Sequence, residues 1–182
     1  MAERLLRADA RRNRARVLEV AAHVFATEGL SVSVHEIARR AGVGTGTVSR
    51  HFPTKDDLVT AVLLTLTADL VAEADALAAT EDPGGAFFAF LGSLVRAGAA
   101  HRGLARELTG AGAAAGAVEV RARALLVRAQ EVGAVRPDVC YADVAALVTG
   151  CTTREGGPLE TVVGVLCDGL RHTTRPREDN SA

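Results

Sequence analysis

One short polar stretch of this sequence carries the side chains best suited to contact a nucleic acid. Thr45, Gly46 and Ser49 are small, so a helix that presents them can bring its backbone close to DNA. Arg50 can donate a fork of hydrogen bonds to a guanine edge or contact a phosphate. Thr47 can donate to a phosphate or touch a thymine methyl group. These residue types predict a DNA contact, provided that a helix holds them in a major groove.

Two amphipathic segments precede this stretch and can position it. Apolar residues recur at helical spacing from Arg11 to Glu28, and Gly29 suits the end of that first helix. A second helix is predicted from Ser33, because Ser33 and Glu36 have the spacing of a capping box. The first helix begins with a basic arm of four arginines, Arg11, Arg12, Arg14 and Arg16.

A glycine-containing turn separates the second helix from a third. Gly42-Val43-Gly44 breaks the second helix, and the third is predicted over about Thr45 to Phe52, with Val48 and Phe52 on one side. This order is the helix-turn-helix plan, in which the later helix enters the major groove with its N-terminal residues at the base edges. Many helical proteins contain such a turn, so this pattern alone indicates DNA binding only moderately.

The distribution of charge supports a basic head. The net charge of the 182 residues is only −1, but residues 1–55 hold 10 Lys and Arg against 5 Asp and Glu, a balance of +5. Residues 56–182 hold 11 against 17, a balance of −6. Such asymmetry favours a head that binds a polyanion and a body that does not, although a solvated basic helix explains the head equally well.

The rest of the chain also has a helical pattern. Aromatic residues are 3% of the sequence and no strand pattern is visible among the many alanines, which favours an all-α fold. A fourth helix is predicted from Thr54 to about Ala79, residues 81–85 form a linker, and the tail is expected to be disordered. The later predicted helices are Ala86–Ala100, Leu104–Leu108, Ala117–Val132, Tyr141–Cys151 and Pro158–Thr173.

Several other classes of protein are disfavoured. Cys140, Cys151 and Cys167 are too few and too widely spaced for a disulfide framework or a zinc knuckle, although an exposed one could sense oxidants. The polar N-terminus and the absence of a long apolar run predict a cytoplasmic protein that does not insert into a membrane. No nucleophile elbow, phosphate loop or His-Glu-x-x-His pair is present, so we expect no catalytic site, no cofactor and no metal site.

Residues 16–29 and 34–58, taken together, resemble the DNA-binding domain of the tetracycline-repressor (TetR) family. The resemblance covers about residues 11–60. It implies an all-α, dimeric regulator with an N-terminal three-helix helix-turn-helix domain. A helical C-terminal ligand-binding and dimerisation domain follows. Family members usually repress transcription and leave the operator when a small molecule binds.

The family's DNA contacts can be carried over position by position. Its phosphate contact at the start of the second helix falls on Ser33 and Val34, and a base contact one step later falls on His35. At the third helix and just beyond it, the matching positions are Thr45, Gly46, Thr47, Arg50, His51 and Lys55. Lys55 is the basic residue that grips a phosphate. Ser49 stands where the family usually has Tyr, so an aromatic phosphate contact is missing. Binding is therefore expected to be weaker or to depend more on Arg50 and the N-terminal arginines.

The resemblance beyond the linker is weaker. It implies that the last two helices, around Tyr141–Cys151 and Pro158–Thr173, pair with those of a second subunit. Three phenylalanines and one histidine are either ordinary structural residues or the walls of a ligand pocket: Phe87, Phe88, Phe90 and His101.

The predicted organisation is a DNA-binding domain over residues 1–57, a ligand-binding and dimerisation domain over 58–174, and a tail over 175–182. The expected function is that of a ligand-responsive repressor, which binds a near-palindromic double-stranded operator as a homodimer and is released by a small molecule. The alternative is a ligand-binding or protein-interaction module whose DNA binding is weakened or lost, which the serine at position 49 makes conceivable.

Overall fold

A computed structural model of the chain describes residues 2–102, 104, 113–154 and 156–172. Within these ranges the chain forms eight α-helices and no strand, and the all-α fold class is confirmed. A lone antiparallel bridge pairs Val135 with Arg171. The helices are α1 (Ala2–Glu28), α2 (Val34–Ala41), α3 (Thr45–His51), α4 (Lys55–Ala78), α5 (Pro83–Ala100), α6 (Ala113–Glu131), α7 (Tyr141–Thr153) and α8 (Leu159–Leu170).

The described residues fall into two compact units. One is drawn from Met1–Ala72 and Ala97–Val118, and the other from Glu73–Arg96 and Glu119–Ala182. Helix α4 therefore contributes residues to both units. No helix in the described part of the chain is long and apolar enough to cross a membrane.

Helix α1 is longer than its apolar periodicity predicts. It begins at Ala2, whereas the periodicity begins only at Arg11. The preceding residues are mostly Ala, Arg, Leu and Glu, which are strong helix formers, and no Gly or Pro interrupts them. The predicted basic arm is consequently part of one continuous helix.

Helices α1, α2 and α3 enclose the core of the first unit together with the start of α4. The apolar residues that these helices present at helical spacing are buried, among them Val17, Ala21, Val24, Phe25, Ile37, Ala38, Ala41, Val48, Phe52, Leu58 and Val62. Burying a side chain such as that of Phe25 or Ile37 stabilises the fold by about 1.5–3 kcal/mol. This core holds the short helix α3 in place, because a seven-residue helix is not stable by itself.

Of the capping box predicted for α2, only the Ser33 half is formed, because the Glu36 carboxylate pairs with Arg39 and Arg40 instead. The Ser33 hydroxyl accepts a hydrogen bond from the Glu36 amide at 3.2 Å, which caps α2. Gly42 ends α2 with φ of +63°, a left-handed conformation that favours glycine. At α4, Thr54 and Asp57 cap each other reciprocally, with the Asp57 carboxylate accepting from the Thr54 amide at 3.0 Å.

The second unit differs from the sequence prediction at its first helix. Helix α5 begins at Pro83, inside the predicted linker 81–85, and Asp82 accepts a hydrogen bond from the Gly85 amide at 2.9 Å. Gly84 is buried, and a Cβ built on it would lie 2.6 Å from the Cβ of Ala134. Proline suits the first turn of a helix, and Gly84 permits close packing, so these residues open a helix rather than a flexible linker.

The turn after α6 is tied to the end of α8. The Arg136 amide donates to the Leu170 carbonyl at 3.0 Å, and the His172 amide donates to the Ala134 carbonyl at 3.1 Å. Helices α7 and α8 lie close to the two ranges predicted for the late amphipathic pair. Apart from Leu104, the predicted helix 104–108 lies outside the described residues, as does the tail 175–182.

Candidate nucleic-acid interface

Helix α3 exposes one polar face and buries the other. Val48 is 1% exposed and packs into the core of the first unit, and Phe52, the residue after the helix, is 3% exposed. Thr47 is half-buried. The remaining predicted contact positions on this helix are all exposed, and they are Thr45, Gly46, Ser49, Arg50 and His51. Burial of Val48 thus orients the predicted contact residues towards solvent.

The N-terminus of α3 is open. Gly44 occupies the N-cap position with φ of −60° and ψ of 137°, and no side chain caps the helix. The Gly44 carbonyl accepts hydrogen bonds from the amides of Thr47 at 2.9 Å and Val48 at 3.2 Å. The first amides of a helix lack intrahelical partners and carry partial positive charge. Small residues at this end therefore leave a weakly positive backbone accessible to a phosphate or a base edge.

Arg50 and His51 add cationic or donor groups to the same helix. Arg50 is exposed and has no hydrogen bond or ion pair with any described residue. The exposed His51 ring lies 6.2 Å from the Phe52 ring, centroid to centroid. An arginine in this position keeps all its donors available for a polyanion.

The three residues at the start of α2 differ in their accessibility. The Ser33 hydroxyl is the cap acceptor for Glu36 and retains its own O–H donor. Val34 is half-buried against the core, so only its backbone suits a phosphate contact. His35 is exposed. Of these three side chains, those of Ser33 and His35 can donate outwards.

Lys55 has a structural partner. Its Nζ donates a hydrogen bond to the carbonyl of Leu30, which links the first turn of α4 to the loop after α1. An ammonium group has three donors, so two remain for a phosphate. The sequence did not reveal this bond, because the two residues are 25 positions apart.

Most of the arginines of the predicted arm are engaged within the chain. Arg11 is exposed and has no hydrogen bond or ion pair with any described residue. The other three have partners: Arg12 pairs with Asp9, the Arg14 guanidinium lies 5.4 Å from the Phe52 ring centroid, and Arg16 donates to the Ala41 carbonyl. The positive charge counted in this arm is therefore less available to DNA than the sequence suggests.

Helix α2 carries an ion-pair network, which a count of charges along the sequence does not show. The Glu36 carboxylate accepts from Arg39 at 2.7 Å and from Arg40 at 2.7 Å, and Arg40 also pairs with Glu28. Hydrogen bonds from the two arginines lower the pKa of Glu36 to about 2. The bond from Arg40 likewise lowers the pKa of Glu28. Two basic charges of the head are thus balanced locally.

Comparison with known proteins agrees with this geometry. The family profile described as "Bacterial regulatory proteins, tetR family" matches residues 17–62. A second profile, "Transcriptional regulator SbtR-like, C-terminal domain", matches residues 82–172, half of the chain. The chain belongs to the TetR family of transcriptional regulators.

Individual relatives support the same family. An HTH-type transcriptional regulator of Staphylococcus aureus is 44% identical over 54 residues, which span 29% of each chain. The crystal structure of a TetR transcription regulatory protein from Mycobacterium vanbaalenii has 48% identity and a TM-score of 0.73, covering 91% of this chain and 99% of that one. A TetR transcriptional regulator from Streptomyces coelicolor has 29% identity and a TM-score of 0.73, with 88% and 99% covered. These relatives are named as regulators of transcription, not as enzymes.

The ligand residues predicted for this TetR-family chain fall in different units. Phe87 and Phe90 are buried in the second unit, where Phe87 meets Phe88 edge to face at 5.4 Å. The half-buried Phe88 ring lies 4.5 Å below the Arg171 guanidinium. His101 belongs to the first unit, and burial lowers its pKa. Its buried Nδ1 has no hydrogen-bond partner among the described residues. That the three phenylalanines and His101 line one ligand pocket stays a prediction.

Two of the three cysteines have the environments expected of unreactive thiols. All three are free, with Cys140 exposed and the other two half-buried. Burial raises the pKa of Cys151 and of Cys167, and a raised pKa leaves less of the reactive thiolate at neutral pH. These two positions therefore do not favour oxidant sensing.

Proposed function

We propose that this TetR-family regulator is a ligand-responsive repressor that reads its operator with the exposed face of α3. One observation carries the proposal: the buried Val48 directs Ser49, Arg50 and the small residues at the start of α3 towards solvent. A helix that presents short side chains and one free arginine can approach base edges closely.

Each contact residue has a separate role in this proposal. Arg50 donates to a guanine edge or a phosphate, and Thr45, Gly46 and Thr47 let the end of α3 approach the bases. Three groups position the head by contacting phosphates: the hydroxyl of Ser33, the ammonium of Lys55 and the ring of His51. The Val34 amide is a further phosphate donor, His35 contacts a base, and Ser49 lies near a phosphate.

We propose that the operator is bound by a homodimer. The residues 58–174 would form the ligand-binding and dimerisation domain, with α7 and α8 at the subunit interface. Both helices expose large apolar side chains, Leu147 at 44% and Val165 at 69%. Two heads related by a twofold axis meet major grooves one helical turn or a small multiple apart, so the operator would be a near-palindrome.

The effector would be a small molecule bound in the C-terminal domain. Its binding would change the spacing of the two heads through α4, which contributes to both compact units. Linkage then requires that saturating operator lowers the protein's affinity for the effector by a certain factor. Saturating effector must lower the protein's affinity for the operator by the same factor. A compound found by its thermal stabilisation of the protein can be titrated with and without operator. An affinity for the compound that operator leaves unchanged contradicts this mechanism.

Gel shift tests the DNA-binding part of the proposal. Duplexes are selected from genomic fragments by the purified protein, and each is compared with a scrambled duplex of equal length. If Arg50 contacts a phosphate, Arg50→Ala should weaken binding to both duplexes and lower the salt slope by about one unit. If it donates to a guanine edge, the loss should be greater for the selected duplex. Unaltered binding to both duplexes would remove Arg50 from the interface. Arg123→Ala is the matched control, because Arg123 is an exposed arginine of the second unit.

A second candidate function is favoured by Ser49 alone. The family usually has Tyr at this position, so the head could have lost operator binding while the C-terminal domain retained its ligand. In that case the selected and scrambled duplexes are bound equally weakly, and a stabilising compound is still bound.

A further inference from the structure

Arg16 reaches from α1 to the turn between α2 and α3. Its Nε and Nη2 both donate to the carbonyl of Ala41, at 3.2 Å and 2.8 Å. Ala41 is the last residue of α2 and is 4% exposed. The guanidinium therefore holds the end of α2 with a charge-assisted fork.

This fork completes the C-terminal cap of α2. The last carbonyls of a helix have no intrahelical partner. Two carbonyls just before the helix end are satisfied from the turn itself, because the Gly42 amide donates to Arg39 and the Val43 amide donates to Ala38. The Ala41 carbonyl receives its donors from another helix. A cation at this end also interacts favourably with the helix dipole.

Gly42 provides the space that the guanidinium needs. Its φ is +63°, and a Cβ built on it would lie 3.0 Å from Arg16 Nη2. A larger residue would both strain the backbone and crowd the arginine. The turn thus accommodates Arg16 in two ways: the Ala41 carbonyl accepts its hydrogen bonds, and Gly42 leaves room for its guanidinium.

We propose that Arg16 is a positioning residue for DNA recognition and not a phosphate contact. By holding the end of α2 against α1, it fixes the turn from which α3 begins, only four residues after Ala41. The effect of Arg16 on DNA specificity rests on the proposed function, because the position of α3 matters for specificity only if α3 reads DNA. Arg11 serves as the comparison, since it lies on the same helix and has no partner among the described residues.

Hydrogen exchange without DNA tests the contact itself. Arg16→Ala should raise the exchange rates of the hydrogen-bonded amides in residues 42–52, among them those of Val43, Val48 and Phe52, about tenfold, and Arg11→Ala should leave them unchanged. Unchanged exchange in the Arg16 variant would overturn the proposal, whether or not the protein binds DNA. If the alanine variant loses its helical circular dichroism, Arg16→Gln replaces it, since glutamine keeps the helix propensity and part of the stem.

Binding at several salt concentrations then tests the role in recognition. For Arg16→Ala we expect affinity for the selected duplex to fall about tenfold, affinity for a scrambled duplex to change less than twofold, and both salt slopes to stay as in the wild type. Loss of a phosphate contact would instead weaken both duplexes and reduce the slope by about 0.9. That second pattern would overturn the proposal. A wild type that binds both duplexes equally would contradict the proposed function, while the exchange result would still decide whether Arg16 holds the turn.

Discussion

Replacing Ser49 with tyrosine should strengthen operator binding. Ser49 is exposed on α3, and side chains on a helix lean towards the preceding turn, where Thr45 and Gly46 are small. A Cβ built on Gly46 meets no atom within 4 Å, so the ring has room on this side of the helix. The substitution would place a phenolic O–H where the family usually has one.

The expected gain follows from one added hydrogen bond. A hydrogen bond to a charged group contributes about 1.5–3 kcal/mol net. Ordering the ring on binding costs about 0.5–1.5 kcal/mol. The difference is about 1 kcal/mol, which corresponds to roughly a fivefold increase in affinity. Because tyrosine adds no charge, the salt slope should not change.

Fluorescence anisotropy with the selected duplex, at three salt concentrations, measures both quantities. Ser49→Phe is the matched control, since it adds the ring without the hydroxyl and should bind with the affinity of the wild type. An equal gain with phenylalanine would assign the effect to apolar contact. A loss of affinity with tyrosine would refute the placement of Ser49 near a phosphate.

Three further predictions concern the contacts within each unit. Lys55→Ala should lower the free energy of unfolding by about 0.5–1.5 kcal/mol because its bond to the loop carbonyl is lost, whereas Arg50→Ala should change stability by less than about 0.5 kcal/mol in the same urea titration. Ion pairing lowers the pKa of Glu36 from its ordinary value of 4.5 to about 2. This pairing stabilises the fold fully at pH values above 4.5, and the stabilisation is lost as the pH falls towards about 2. Acid unfolding of Glu36→Gln should therefore depend less on pH in that window, and an unchanged profile would contradict the ion-pair network. Gly84→Ala should destabilise the protein by about 1–3 kcal/mol, because the added methyl group overpacks the contact with Ala134. Gly116→Ala is the control: its added Cβ meets nothing within 4 Å, so it should stabilise the protein by up to about 1 kcal/mol. Equal effects of the two substitutions on the melting temperature would contradict the close contact between Gly84 and Ala134.

The parts of the fold that depend on local pattern could be predicted from sequence. Val48 and Phe52 are four residues apart, so a helix must place them on one side, and both are buried. The cap of α2 at Ser33 and the left-handed Gly42 follow from residue type and position in the same way. The exposed face of α3 was predictable because it is the complement of the buried one.

Contacts between distant residues could not be predicted in this way. Arg16 and Lys55 were both counted as charges available to DNA, but each donates to a backbone carbonyl 25 residues away. Residue type shows that an arginine can donate and does not show to which acceptor. The packing of Gly84 also depends on a distant residue. From sequence alone this glycine indicates a linker, and only the structure shows that it packs against Ala134.

The proposed DNA recognition is tested most directly by titrating the wild-type protein with the selected duplex and with its scrambled counterpart at one ionic strength. We predict a saturable complex with two chains for each selected duplex, at least about 1,000-fold tighter than the complex with the scrambled duplex. Equal affinity for the two duplexes, after selection to convergence, would contradict the proposal that the exposed face of α3 reads an operator.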